Sequence, residues 1–254
     1  MKKPLLLFIF CGCLMAHTTL QAQTEQHFRA GVTAGINLSQ IEGDAQQGYH
    51  KTGVSIGAKG AYCFKPNFDI SAELLYNARG SRDNPFAEAL PTDSRKLRLA
   101  SSLNYADVLI AANFHFLPNN SYTFYRQSLQ IGVSYGRLLS SSVSVSRGNL
   151  QDKVLETDVL NNLKKDDVAF VIGYSFFFTS RLGITAKHGV SLRPIYDGSP
   201  KQATTSQDYG RFIPYNLTFQ LVYNFVSPKL NVKSQVEKAL KEKEKRKKNP
   251  LEDL

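Results

Sequence analysis

The chain has 254 residues, 42% of them hydrophobic, with 31 Lys and Arg against 21 Asp and Glu, for a net charge of +10. No run of about 18 apolar residues follows the N-terminal leader, which excludes a transmembrane helix there, although a membrane-crossing strand needs only about 9–11 residues with every second one apolar. The positive balance is no nucleic-acid signature either: Lys2 and Lys3 sit in the leader, the segment from Lys229 onward holds nine Lys/Arg against five Asp/Glu, and no basic stripe lies between.

Met1-Lys2-Lys3, the apolar run Pro4 to Met15 and the small or polar residues ending in Leu20-Gln21-Ala22-Gln23 form a secretory signal pattern, residues 1–22, cut after Ala22. A lipoprotein would need Cys11 or Cys13 behind a lipobox, and Phe8-Ile9-Phe10 fits one poorly. Cys63 is then the only cysteine left, which excludes an intrachain disulfide and any cysteine-based zinc site. One domain, residues 23–226, and a charged tail, 227–254, follow.

From Phe28 the chain alternates strictly: Phe28, Ala30, Val32, Ala34, Ile36 and Leu38 on one face, with Arg29, Gly31, Thr33, Gly35 and Asn37 on the other. The pattern predicts eight strands, 28–38, 53–64, 68–79, 103–116, 126–137, 167–178, 181–193 and 212–225. Connections alternate between long (39–52, 80–102, 138–166, 194–211) and short (Lys65-Pro66-Asn67, 117–125, Thr179-Ser180). Short turns on one side and long loops on the other describe an all-β, eight-stranded antiparallel transmembrane barrel of an outer membrane, with both mature termini in the periplasm. A soluble sandwich or lipocalin-like barrel would turn the same apolar face inward. Phe28, Phe64, Phe68, Phe116, Phe178 and Phe225 fall at the short-turn end, as a periplasmic aromatic girdle would. The last strand closes as Leu221-Val222-Tyr223-Asn224-Phe225, like the signal read by the outer-membrane barrel assembly machinery, here internal because a tail follows.

The non-lipid face carries Arg29, Lys59, Asp69, Glu73, Arg79, Asp107, His115, Lys187 and Arg193. Of these, Lys59, Glu73, Asp107 and Lys187 fall near mid-strand, so two acids and two bases at one depth predict an ion-pair network filling a narrow lumen. Separate hydration of each charge is the alternative. If Lys59 and Glu73 pair, reversing both charges together preserves stability. Glu73 and Asp107 as an acid–base couple have no nucleophile beside them, and no catalytic residue is assigned. His188 is the mid-strand polar residue on the lipid face, without the outward Ser or acid that a lipid-modifying barrel enzyme would need. No cofactor or metal is called for: His27, His50, His115 and His188 lack ligand spacing, and no Gly-rich phosphate loop occurs. The tail from Val232 to Lys248 places Val232, Val236 and Leu240 four apart in a Lys/Glu-rich stretch, a short amphipathic helix or a disordered segment, facing anionic lipid, peptidoglycan or a periplasmic partner.

Four segments, Gly31-Val-Thr-Ala-Gly35-Ile-Asn37-Leu-Ser39, Glu73-Leu-Leu-Tyr76-Asn-Ala-Arg-Gly80, Leu103-Asn104-Tyr105-Ala-Asp107-Val108 and Ile131-Gly132-Val-Ser-Tyr135-Gly136, resemble the PorT-like outer-membrane β-barrel proteins of Bacteroidetes-type bacteria. The resemblance implies an eight-stranded barrel whose family roles are mostly unassigned, with a namesake that takes part in protein secretion across the outer membrane. The chain departs from it at Leu109, where the family tends to carry proline, and at Lys187-His188, where it tends to carry Arg-Tyr. The expected function is a non-enzymatic envelope component that acts through its extracellular loops, chiefly 80–102 and 138–166. A narrow pore or secretion-associated channel is the alternative, and a lipid-modifying enzyme comes third. Expected partners are outer-membrane lipid, the assembly machinery and a periplasmic or secretion-system protein, with no nucleic acid.

Overall fold

The structure, a computed structural model, describes residues 27–44, 48–82, 97–147, 150–197, 211–228 and 232–248. The signal pattern at 1–22 lies outside them. Eight strands close into a ring: β1 (Phe28–Glu42), β2 (Lys51–Lys65), β3 (Phe68–Ser81), β4 (Leu97–Pro118), β5 (Tyr125–Arg147), β7 (Asp166–Phe177), β8 (Leu182–Ser191) and β9 (Ile213–Val226). Every neighbour is antiparallel, and β9 returns to β1 along Ala30↔Val226 to Glu42↔Ile213. A two-residue strand, β6 (Leu150–Gln151), folds back on the end of β5. Two helices complete the chain, α1 (Lys153–Asn162) between β6 and β7 and α2 (Val232–Lys248) after β9.

The wall has its polarity reversed relative to a soluble barrel. On β3, Leu74 is 62% exposed while its neighbours Glu73 and Leu75 are 1% and 6% exposed. The same holds around the ring, where Val32, Ile56, Ile110, Val133, Ile172 and Leu221 point outward and Thr33, Ser55, Asn113, Ser134, Ser175 and Gln220 point inward. A large apolar surface wrapped round a polar interior suits hydrocarbon as the outer solvent and contradicts a lipocalin-like arrangement.

The six short-turn phenylalanines lie at one end of the ring; Phe68 is half-buried and the other five are exposed. Tyr62, Phe64, Phe68 and Phe114 run in edge and tilted contacts, with ring centroids 4.9, 6.0 and 5.2 Å apart. The opposite end has an outer belt that the strand pattern did not single out. There the hydroxyls of Tyr135 and Tyr215 each donate, over 2.6 Å, to rim carboxylates, Asp166 and Glu42.

Two predicted loops are partly strand. Segments 97–102 and 138–147, placed in the loops 80–102 and 138–166, continue β4 and β5. β3 stops opposite Ser101 and β7 starts opposite Arg137, so this ribbon stands above the rim. Serine hides it from composition: Ser140, Ser142 and Ser144 face out while Val143 and Val145 are buried. They join Ile41, Leu99, Leu103, Tyr105, Val159 of α1, and Ile195, Tyr196 and Phe212 in an apolar core that caps the long-loop end. The Asp152 side chain caps α1, accepting from Leu155 N over 3.1 Å, and so fixes the helix that delivers Val159.

The closing seam tolerates little. Gly35 faces Gln220 across it, and a Cβ at that position would lie 1.9 Å from the Phe219 carbonyl oxygen. Gly35→Val is therefore expected to prevent closure, with loss of the fast-migrating folded band in unheated gel samples. A variant that still shows that band would refute the close approach.

Candidate functional site in the barrel lumen

The inward side chains sort into three tiers along the axis. Nearest the short turns, Asp69 Oδ2 accepts from Arg29 (3.0 Å) and from His115 Nε2 (2.7 Å), and Asn113 donates to Asp69 Oδ1 (2.6 Å) and Ser71 Oγ (2.9 Å). Cys63 is buried beside it, Sγ 3.9 Å from the same carboxylate.

In the middle tier, strand register sets Lys59 and Glu73 opposite one another on β2 and β3. Glu73 Oε1 lies 3.1 Å from Lys59 Nζ and accepts from Gln130 Nε2 over 3.0 Å, while Oε2 accepts from Lys187. One carboxylate thus serves two ammonium groups.

Asp107 does not join them. The structure puts it in a third tier, where Arg79 donates to Asp107 and, over 2.8 Å, to Asp167 Oδ2, and Asn77 also donates to Asp107. The guanidinium stacks 4.7 Å from the centre of the Tyr105 ring. Local backbone explains the separation: a Cβ at Gly136 would lie 2.3 Å from Asp107 Oδ1, so that glycine leaves the space in which the carboxylate meets Arg79.

With ordinary ionisation the middle tier carries one excess cation and the third tier one excess carboxylate. Burial forces this balance, because an uncompensated charge at such depth costs several kcal/mol. A cavity of about 30 Å³ between the two tiers is bordered by Asn77, Arg79, Asp107 and Lys187, space for a few waters at most. Another of about 50 Å³ lies at the short-turn mouth beside Arg29, His115, Tyr125, Asn224 and Val232.

Asp167, Asn77, Gln130 and Tyr105 did not stand out in the sequence. Asp167 shares the parity of the inward Ala169 and Val171, a signal masked by its place at the edge of a predicted strand. Arg193 is exposed beyond the end of β8 and not in the lumen. His188 Nε2 lies 3.1 Å from the Tyr49 hydroxyl, outside the barrel.

Residues 21–197 match the model of the outer membrane protein beta-barrel domain, and the chain belongs to that family, an outer-membrane barrel. No curated protein matches. Among solved structures, Ail, the attachment invasion locus protein of Yersinia pestis, has 12% identity and a TM-score of 0.42, covering 79% of this chain and 100% of Ail. Neisserial surface protein A (11%, TM-score 0.36, 79% and 98% covered) and OprG of Pseudomonas aeruginosa (10%, 0.37, 79% and 95%) are similar to the same degree.

Because Glu73 holds Lys187 as well as Lys59, the Lys59/Glu73 reversal would set a new lysine against Lys187 and is not neutral. Glu73→Leu should lose about 3–5 kcal/mol in urea unfolding, and adding Lys187→Met should recover part of it; additive losses would argue against the pairing. In the cap, burial and a 2.8 Å bond donated to Asp158 Oδ2 push the Tyr196 hydroxyl from 10.0 up to about 12. A raised phenol favours the protonated form in the folded state, so its contribution is whole below pH 10 and declines as pH climbs towards 12. The stability difference between wild type and Tyr196→Phe should be flat below that window and shrink within it.

Proposed function

We propose that this is a closed, non-enzymatic barrel of the PorT-like kind, with the short turns and both mature termini in the periplasm and the capped end at the cell surface. The observation that carries this reading is the filling of the channel: three tiers of paired side chains beneath a ten-residue apolar cap. Such a lumen holds its charges in place of passing solute, and leaves the cap, its ribbon and α1 as the working surface for an envelope partner. Outer-membrane lipid surrounds the wall between the two aromatic belts, the periplasmic one comprising Phe28, Phe64, Phe68, Phe116, Phe178 and Phe225. The strand ending at Phe225 is the segment offered to the barrel assembly machinery, and a periplasmic or secretion-system protein would meet the opposite end. Engagement of His188 with Tyr49 speaks against a lipid-modifying site there.

A narrow, gated channel is the second reading. It is favoured by the small cavity between the tiers and by a buried carboxylate oxygen of Asp107 that has no hydrogen-bond partner among the described residues.

Conductance separates the two. Purified barrel in a planar bilayer should be silent, and changing Lys59, Glu73 and Lys187 together to Ala in a chain whose Phe212 is also Ala should open measurable steps. Steady conductance of the wild type would overturn the closed lumen and move the channel reading to first place.

A further inference from the structure

The element that the lumen and cap leave unused is α2. Its 17 residues carry eight Lys/Arg (Lys233 to Lys248) and three Glu, a strong positive excess on a single helix. It starts six positions after the end of β9, and its first residue, Val232, is 2% exposed at the short-turn mouth. The helix is therefore tethered at the level of the phenylalanine belt, and its full length is about 26 Å at about 1.5 Å per residue.

At about 3.6 residues per turn, Val232, Val236, Ala239 and Leu240 fall on one side. Burial declines along this stripe, from Val232 (buried) through Val236 (half-buried) to Leu240, which is 55% exposed. Lys233 and Arg246 occupy positions at the stripe's borders, Lys243 and Lys247 continue its line beyond Leu240, and Lys238, Lys241, Lys245 and Lys248 lie opposite it. An apolar stripe bordered by cations, held at the edge of a bilayer, has the pattern of a helix that lies in a membrane interface. On a helix of this kind, cationic side chains at the borders bury their methylene stems along the apolar side and keep their charges at headgroup level.

We propose that α2 lies on the bilayer surface at the short-turn end, with Val236 and Leu240 in the interface and its cations on anionic phospholipid headgroups. This rests on the reading that the short turns face the periplasm, where the leaflet is phospholipid. Charge complementarity selects the lipid: zwitterionic headgroups offer the helix no net field, whereas each anionic one attracts the nearby Lys and Arg over a Debye length.

The chain contains no tryptophan, so Leu240→Trp makes a single-site reporter in the full protein. The refolded variant is placed in nanodiscs of phosphatidylcholine alone or of an equimolar mixture with phosphatidylglycerol. In the mixture, the emission should shift to the blue and be quenched by brominated lipid. Phosphatidylcholine alone, or about 1 M NaCl, where the Debye length is ~3 Å, should abolish both effects. Lys241→Trp, on the opposite side, should remain water-exposed in either lipid. Lys233→Gln, Arg246→Gln and Lys247→Gln together, on the Leu240→Trp background, should remove the dependence on phosphatidylglycerol while the folded gel band persists.

A reporter that is water-exposed in both lipids overturns the proposal, and co-sedimentation with isolated peptidoglycan in that case assigns the helix to the cell wall. A blue shift equal in both lipids and not quenched by brominated lipid also overturns it, and places the helix against the barrel. The nanodisc offers both faces to the tail, so these outcomes do not depend on orientation in the cell. Orientation is read separately, from protease cleavage of a C-terminal tag only after the outer membrane is permeabilised.

Discussion

The architecture depends on one constraint, that backbone N–H and C=O groups in hydrocarbon have no water to bond. A sheet with an open edge would leave a row of them bare, at a cost of several kcal/mol each, so the ring must close. The seam between β1 and β9 meets that demand along β1 from Ala30 to Glu42. Once the ring is closed, alternation leaves each strand with one face in lipid and one in a space too narrow for bulk water. The apolar outer wall and the polar interior are thus two results of the same closure.

The polar interior then has its own requirement. Charges drawn out of water are tolerated when they are paired and hydrogen-bonded, and geometry decides which pairs can form. Lys59 and Glu73 meet because register sets them opposite each other, and Lys187 reaches the same carboxylate from across the lumen. Asp107 is claimed by Arg79, which spans to Asp167 on the facing wall. The excess cation of one tier sits beside the excess carboxylate of the next. The formal charges of these two tiers cancel between them and not within either.

How much of this was legible follows from what each signal depends on. Strand number, order and facing depend on period-two alternation, a local property, and Phe28 to Leu38 or Val168 to Phe178 show it without ambiguity. The tail was legible only as either a helix or a disordered segment, from apolar residues four apart, and the structure makes Val232–Lys248 a helix. Lumen membership was legible for Lys59, Glu73, Asp107 and Lys187, since parity alone decides which way they point. Which tier each occupies was not, because depth depends on strand stagger and on contacts across the ring. Arg79–Asp167 joins residues 88 apart in sequence. The raised ribbon escaped for a different reason: Ser140 to Ser146 has the composition of a loop, and only its pairing with 97–104 makes it a strand.

The cap has a mechanical side as well. Its apolar core takes Ile41 from β1 and Val143 and Val145 from β5, which stand on opposite walls of the ring, and adds residues that lead out of β8 and into β9. It acts as a hoop with cross-bracing: squeezing the barrel from round to oval would pull Ile41 and Val143 apart and open the core. The long-loop end is therefore stiff, and the surfaces carried by the ribbon, β6 and α1 move as one body. A change in one of them, even on α1, would be felt on the far side of the rim.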